Sequence, residues 1–208
     1  MTNSSSDPPR LILVGGGARS GKSRFALARA RELGQRRTFI ATAEPLDEEM
    51  TERIRRHRAE RGSAWTTTEE PRALPEALDA TGPGDVVLVD CLTLWVSNLL
   101  VRGDSLPDLA VAFDRLEAAL GRRRAHVILV TNEVGMGLVP ETALGRQFRD
   151  SIGDLHQRLA VRADEIYIAV LGTVLRLRPG PITEMTAKVT ARVSQDGRGG
   201  PADEDRSA

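Results

Sequence analysis

The sequence predicts an α/β fold in which a mainly parallel sheet is covered by helices on both faces. Segments of strand length alternate with helical segments, and the strand segments are apolar throughout, as in strands buried on both faces. A chain of 208 residues with 40% hydrophobic content can also bury one sizeable core. We expect one domain over 10–178, between a disordered leader at 1–9 and a mostly disordered tail at 179–208.

The predicted elements follow from the apolar periodicity. Strands are expected at 11–14, 38–41, 86–89, 127–130 and 166–170, with a further one near 174–177. Helices are expected at about 22–33, 47–60, 92–101, 106–121 and 141–162. Gly34 follows the first helix in the usual C-terminal position. Because ligands of such sheets bind at the carboxyl ends of the strands, we expect functional residues there.

A glycine-rich segment directly after the first predicted strand has the G-x-x-x-x-G-K-[ST] pattern of a phosphate-binding loop. It consists of Gly16, Gly17, Ala18, Arg19, Ser20, Gly21, Lys22 and Ser23. Its backbone N–H groups would surround the phosphates of ATP or GTP, Lys22 would reach the β- and γ-phosphates, and Ser23 would ligate Mg²⁺. Lys22 is one of only two lysines among 29 basic residues. The pattern predicts a P-loop NTPase domain of the RecA-like type.

Asp90 is the second predicted ligand of Mg²⁺, because it follows the apolar strand segment 86–89. In P-loop proteins a carboxylate at this place meets Mg²⁺ directly or through water. An aspartate there can also cap the next helix, so both roles remain open.

The predicted helix 47–60 carries a candidate nucleophile, His57. Met50, Ile54 and His57 follow i, i+4, i+7 spacing and share one helix face. Four arginines accompany the histidine: Arg53, Arg56, Arg58 and Arg61. Their charge disfavours the imidazolium and attracts phosphate, so a neutral imidazole would be available to attack phosphorus. A partly buried structural histidine is the alternative.

The bulk composition disfavours several classes of protein. A net charge of zero and 3% aromatic residues argue against nucleic-acid binding. Cys91 is the only cysteine, so an intrachain disulfide is excluded. No apolar segment approaches the ~20 residues of a membrane span, and the first residues lack the layout of a signal peptide. We therefore expect a cytoplasmic enzyme that acts on small molecules.

Several further motifs accompany the phosphate loop. They are Ala41-Thr42-Ala43, Asp47-Glu48-Glu49-Met50, Arg53-Ile54, His57, Trp65, Glu69, Asp90-Cys91-Leu92-Thr93, Asn98-Leu99-Leu100 and Thr131-Asn132-Glu133-Val134-Gly135-Met136-Gly137 with Pro140. Together they resemble the bifunctional adenosylcobinamide kinase / adenosylcobinamide-phosphate guanylyltransferase family of cobalamin biosynthesis, over about 10–178. The 132–137 segment and the His57 helix are the most specific parts, because other P-loop kinases lack them.

The resemblance implies two reactions. In the first, ATP or GTP phosphorylates the aminopropanol hydroxyl of adenosylcobinamide. In the second, GTP guanylylates a histidine, which corresponds to His57, and GMP passes to adenosylcobinamide phosphate, giving adenosylcobinamide-GDP and pyrophosphate. The guanine-nucleotide contacts of the family correspond to the phosphate loop, Thr42, Ala43, Glu44, Arg58, Arg61 and Glu69, and Asp90 stands where a relative can have glutamate. A homo-oligomer, a trimer, is also implied.

Three questions stay open at the level of sequence. The phosphate loop holds the β- and γ-phosphates, whereas guanylyl transfer needs the α-phosphate beside His57. Either the nucleotide binds in two poses, or the helix moves on hinges near Pro45 or Gly62.

Glu133 either positions the acceptor or serves only as a hydrogen-bonding residue of its loop. A simple P-loop kinase or a nucleotide switch would explain Lys22 and Asp90, but it would leave the His57 helix without a role.

Overall fold

Helices and strands alternate along the residues that the computed structural model describes, which are 8–45, 47–61, 64–83 and 86–185. The strands are β1 (Leu11–Gly16), β2 (Arg37–Ala41), β3 (Thr66–Glu69), β4 (Val86–Asp90), β5 (His126–Val130), β6 (Glu165–Val170), β7 (Thr173–Arg178) and β8 (Thr183–Met185). The helices are α1 (Lys22–Leu33), α2 (Glu48–Arg61), α3 (Leu74–Asp79), α4 (Leu92–Arg102), α5 (Leu106–Gly121) and α6 (Ala143–Arg162). None of these helices is both long and apolar enough to cross a membrane.

The strands form one sheet in the order β3-β2-β4-β5-β1-β6-β7-β8. Pairing is parallel from β3 through β6, and only β7 and β8 run antiparallel to their neighbours. One strand, β5, therefore separates β1, which leads into the phosphate loop, from β4, which ends at Asp90. This insertion is the RecA-like arrangement of P-loop NTPases, and the predicted fold class is confirmed.

Both faces of the sheet are buried, which explains the uniformly apolar strands. In β4, Val87 and Val89 belong to a core shared with α3, α4, α5 and α6, whereas Val86 and Leu88 belong to a second core shared with α1. Successive side chains of a strand point to opposite faces, so a strand between two helix layers has to be apolar at every position.

The predicted elements are all present, and α1 and α5 have the predicted bounds. Three short elements were missed: β3, α3 and β8. Both missed strands are polar and lie at the edges of the sheet, where no apolar segment is needed. Because β8 pairs with β7, the sheet extends past the predicted domain end at 178. Residues 1–7 of the predicted leader (1–9) and residues 186–208 of the predicted tail (179–208) lie outside the described residues.

The structure corrects the interpretation of Gly34. Its φ of −177° is extended backbone that any residue adopts, so a left-handed helix end does not require this glycine. A Cβ at position 34 would instead lie 2.9 Å from Cγ2 of Val86. The glycine therefore permits close packing of the end of α1 against β4.

We expect Gly34→Ala to lower the free energy of unfolding by about 1–3 kcal/mol, because the added methyl group overpacks the contact with Val86. Gly153→Ala is the matched control. A Cβ at Gly153, inside α6, would meet no atom within 4 Å, so alanine should raise the free energy of unfolding there by about 0.5–1 kcal/mol. Urea unfolding of both variants tests this; an unchanged stability of Gly34→Ala would contradict the close contact.

Candidate nucleotide site

The phosphate loop connects β1 to α1 at the carboxyl edge of the sheet. Gly16 has a φ of +151°, and a Cβ there would lie 2.5 Å from the carbonyl oxygen of Ala169 in β6. Gly21 also has a positive φ, of +93°, and directly precedes α1. These glycines let the backbone turn tightly, so that the positive N-terminal end of α1 meets the loop.

Lys22 is the first residue of α1 and is 7% exposed. Its Nζ donates a hydrogen bond of 3.1 Å to the carbonyl oxygen of Gly17, within the same loop. The ammonium group is thus held against the loop, where the lysine of such motifs meets the β- and γ-phosphates.

A cavity of about 120 Å³ opens beside Lys22 at this edge of the sheet. It is lined by the loop and α1 residues Lys22 and Ser23, by Asp90 and Cys91 after β4, by Met50 and Ile54 of α2, and by Phe39, Ala41, Ala43, Glu69, Leu94 and Asn132. The phosphate loop and the predicted histidine helix therefore line one and the same cavity.

Helix α2 begins at a clear capping signal. The backbone N–H of Met50 donates to Oδ1 of Asp47 at 2.7 Å, so Asp47 satisfies a free amide of the first turn. Met50 and Ile54 are half-buried against the cavity. His57 lies three residues after Ile54 in the same helix. The predictions for the side chains of Arg53, Arg56, His57 and Arg61 fall outside the described residues.

The structure brings together two residues that were predicted as guanine-nucleotide contacts. Arg58 of α2 forms an ion pair with Glu69 at the end of β3, and both side chains are more than half exposed. Exposed ion pairs contribute only about 0–1 kcal/mol, so this one can open at little cost. Glu69 also lines the cavity, which leaves its carboxylate within reach of a ligand there.

Thr42 is placed differently from the prediction. It is fully buried, and its hydroxyl donates to the carbonyl oxygen of Cys91 and accepts from the Cys91 N–H, both at 2.7 Å. Its own carbonyl accepts a 2.8 Å hydrogen bond from Asn98. Thr42 therefore fastens the end of β2 to the end of β4 and holds Asp90 in place, and its hydroxyl is not available to a nucleotide.

The two residues after Thr42 differ in their position relative to the cavity. Ala43 lines the cavity, in agreement with its predicted place. Glu44 pairs with Arg72 at 2.9 Å and is not among the residues that line the cavity. Its carboxylate is thus paired within the protein.

Cys91 and Asn132 also lie at the cavity. Burial, together with the charge of Asp90, raises the pKa of the Cys91 thiol to about 11, so the thiol stays protonated and is a packing group. Asn132 follows β5 and donates a 2.8 Å hydrogen bond to Oγ1 of Thr93. Its position at a strand end was the sequence signal that could have marked it as a site residue.

A larger cavity, of about 430 Å³, lies between α3, α4 and α5. Three arginines line it, but each is paired with a carboxylate: Arg72 with Glu44, Arg102 with Asp104, and Arg115 with Glu76. Their charges are therefore compensated within the protein. The smaller cavity, which contains the phosphate loop, is the candidate site.

Comparison with known proteins agrees with this geometry. A family model described as cobinamide kinase / cobinamide phosphate guanyltransferase matches residues 12–177. The bifunctional adenosylcobalamin biosynthesis protein CobU of Escherichia coli (strain K12) is 43% identical over 181 residues, which cover 81% of this chain and 99% of the relative. The corresponding protein CobP of Pseudomonas aeruginosa is 43% identical over 171 residues, covering 82% and 98%.

The solved structure of the RadB recombinase aligns with a TM-score of 0.49 at 17% identity, covering 85% of this chain and 86% of that chain. The family model spans most of the chain, and the curated relatives are matched over nearly their whole length. The chain belongs to the cobinamide kinase / cobinamide phosphate guanyltransferase family.

Proposed function

We propose that this chain phosphorylates adenosylcobinamide with ATP or GTP and then transfers GMP from GTP, through guanylylated His57, to adenosylcobinamide phosphate. The products are adenosylcobinamide-GDP and pyrophosphate. The observation that carries the proposal is the single cavity lined by the phosphate loop and by the helix of His57. A kinase without guanylyl transfer would need the loop but not this helix.

In the kinase step, the loop amides and Lys22 hold the triphosphate and stabilise the charge of the transferring group. Ser23 and Asp90 would hold Mg²⁺, because both line the cavity and offer the hard oxygen donors that this ion prefers. When bound, Mg²⁺ neutralises charge on the phosphate oxygens. The described residues contain no group of three or more His, Cys, Asp or Glu side chains that could hold a metal ion.

In the transfer step, an imidazole nitrogen of His57 attacks the α-phosphorus of GTP. A nitrogen–phosphorus bond forms, and the bond to the pyrophosphate oxygen breaks. A phosphate oxygen of adenosylcobinamide phosphate then attacks the same phosphorus and releases the imidazole. The covalent route divides one transfer between two large anions into two simpler displacements.

The size of the cavity supports the alternative in which α2 moves. Its volume of about 120 Å³ is well below the roughly 300–1,000 Å³ of ordinary ligand pockets. Met50 and Ile54 form one wall, so an outward shift of α2 would enlarge it. Pro45 lies just before α2, whereas the other predicted hinge, Gly62, lies outside the described residues. A structure with bound guanine nucleotide tests this proposal.

Glu69 would select guanine over adenine. A carboxylate only accepts hydrogen bonds, and the N1–H and N2–H₂ edge of guanine only donates them. We expect Glu69→Gln to raise the KM for GTP in guanylyl transfer about 10- to 100-fold, because charged hydrogen bonds contribute roughly 1.5–3 kcal/mol. The KM for ATP in the kinase step should stay within about twofold.

The matched control is Glu52→Gln, which removes another exposed carboxylate paired with an arginine, Arg55. This variant should leave both KM values unchanged. If Glu69→Gln changed the KM values for GTP and ATP equally, Glu69 would not discriminate between guanine and adenine.

The overall proposal is tested by incubating the purified chain with adenosylcobinamide, ATP and GTP and identifying the products by mass spectrometry. We expect adenosylcobinamide phosphate first and adenosylcobinamide-GDP second. Nucleotide hydrolysis without modified cobinamide would favour a switch or a simple NTPase. The expected trimer and the expected lack of stimulation by DNA stay predictions, which light scattering and the same assay with added DNA would test.

A further inference from the structure

The loop after β5 places Glu133 next to the phosphate loop. The Glu133 N–H donates a 3.2 Å hydrogen bond to the carbonyl oxygen of Gly16, the first residue of the phosphate loop. The preceding residue, Asn132, lines the nucleotide cavity. Glu133 therefore lies beside the loop that holds the triphosphate. The roles proposed above for Lys22 and His57 do not involve it.

The Glu133 carboxylate is fixed on two sides. Its Oε1 accepts a 2.7 Å hydrogen bond from the N–H of Gly135, and its Oε2 lies 3.9 Å from Nδ1 of His156 in α6. The other ring nitrogen of His156, Nε2, is 2.7 Å from Oγ1 of Thr131 at the end of β5. The carboxylate remains 31% exposed, so it is held in place but open to a ligand.

His156 is suited to position the Glu133 carboxylate. Burial lowers the pKa of His156, while the charge of Glu133 acts in the opposite direction. In the tautomer that carries its proton on Nδ1, Nε2 accepts the hydrogen bond of the Thr131 hydroxyl, and Nδ1–H faces Oε2 of Glu133 as a donor. At 3.9 Å, this N–H orients the carboxylate electrostatically and leaves Oε2 able to accept a proton.

The surface around Glu133 suits a large acceptor with apolar faces. The same loop exposes Met136, Leu138 and Val139 by 83%, 96% and 65%. On the other side of β1, the turn between β6 and β7 exposes Leu171 by 98%. Exposed apolar groups that flank a reaction site mark binding surfaces. An acceptor resting on the 136–139 side would lie between this apolar surface and the phosphate loop, beside Glu133.

We propose that Glu133 is the base of the phosphoryl-transfer step and that His156 is its positioning residue. The proposal rests on the proposed kinase function. The acceptor oxygen forms a bond to the γ-phosphorus, the bond to the β–γ bridging oxygen breaks, and the nucleoside diphosphate leaves with the electron pair. The hydroxyl proton passes to Oε2 of Glu133.

Guanylyl transfer does not need this base. Its nucleophiles are a neutral imidazole and a phosphate monoester that is already anionic, so no acceptor hydroxyl has to lose a proton. Removal of the base should therefore separate the two activities.

Glu133→Gln tests the role of the carboxylate, because glutamine keeps an oxygen for the N–H of Gly135 but is a very poor proton acceptor. We expect the kcat of the kinase step to fall about 10²- to 10⁴-fold, with the KM for ATP within about threefold. GMP transfer to supplied adenosylcobinamide phosphate should be unchanged. Glu141→Gln, an exposed carboxylate of the same segment, is the control and should leave both activities as in the wild type.

His156→Phe tests the positioning role. We expect the kinase kcat to fall about tenfold, with the KM for ATP and guanylyl transfer unchanged. His156→Asn, which keeps a polar group near the Nδ1 position, should restore part of the kinase rate. A kinase rate that is unchanged in His156→Phe, or lost together with guanylyl transfer, would reduce His156 to a packing residue and overturn this half of the proposal.

Full kinase activity in Glu133→Gln, or an equal loss of both activities, would overturn the assignment of the base. A wild-type chain that never phosphorylates adenosylcobinamide would instead refute the proposed function itself. The two failures are therefore distinguishable.

Discussion

Lys22→Ala should lose both activities, by about 10²- to 10³-fold or more in kcat/KM for each. Both reactions use a triphosphate bound at the same loop, and the Lys22 ammonium group is held 3.1 Å from the Gly17 carbonyl at the place where the β- and γ-phosphates are expected. Removal of this charge weakens the hold on the pyrophosphate portion in both steps. Steady-state rates of the kinase and transferase reactions, together with nucleotide binding affinities, test the prediction.

Two further variants sharpen the experiment on Lys22. Lys22→Arg should also be impaired, because the side chain is 7% exposed and a planar guanidinium does not fit a site made for a compact point charge. Lys188→Ala removes the only other lysine of the chain and should behave like the wild type. If Lys22→Ala kept either activity in full, the two reactions would not share one triphosphate site.

His57→Ala should abolish guanylyl transfer while keeping the kinase rate within about tenfold of the wild type. Without the imidazole, no nitrogen–phosphorus bond forms, and the covalent route has no nucleophile. The kinase step relies on the phosphate loop, which is a different part of the cavity. Separate assays of adenosylcobinamide phosphorylation and of GMP transfer to supplied adenosylcobinamide phosphate measure the two rates.

The control for this variant is His126→Asn. His126 begins β5 at the opposite edge of the sheet, where its Nδ1 accepts a 3.1 Å hydrogen bond from the N–H of Arg10, and asparagine keeps an acceptor there. Both activities should survive in the control. An equal loss of both activities in His57→Ala would indicate a structural histidine.

Sequence patterns predicted the features that depend on residues close together in the chain. The phosphate loop is recognisable because its glycines and Lys22 act within eight neighbouring residues. The buried strands are recognisable because two helix layers require apolar side chains at 86–89 of β4. For the same reason, the polar edge strands β3 and β8 carried no apolar signal and were missed.

Long-range contacts explain what the sequence could not predict about the site. Thr42 is expected at the nucleotide, and its hydroxyl is hydrogen-bonded to Cys91, which is 49 positions away along the chain. Glu44 is expected there as well, and its carboxylate forms an ion pair with Arg72. Asn132 lies at a strand end, which marks it as a candidate, and it reaches this particular cavity because β5 lies between β1 and β4.

The central claim is that one cavity serves both a phosphate loop and a nucleophilic histidine. The most direct test is peptide mapping by mass spectrometry of the wild-type chain after incubation with GTP alone, under conditions that preserve acid-labile, base-stable phosphoramidates. We expect one GMP on the peptide that contains His57 in the wild type, and none in Lys22→Ala or His57→Ala. A wild-type chain without an adduct, or with GMP on another residue, would contradict it.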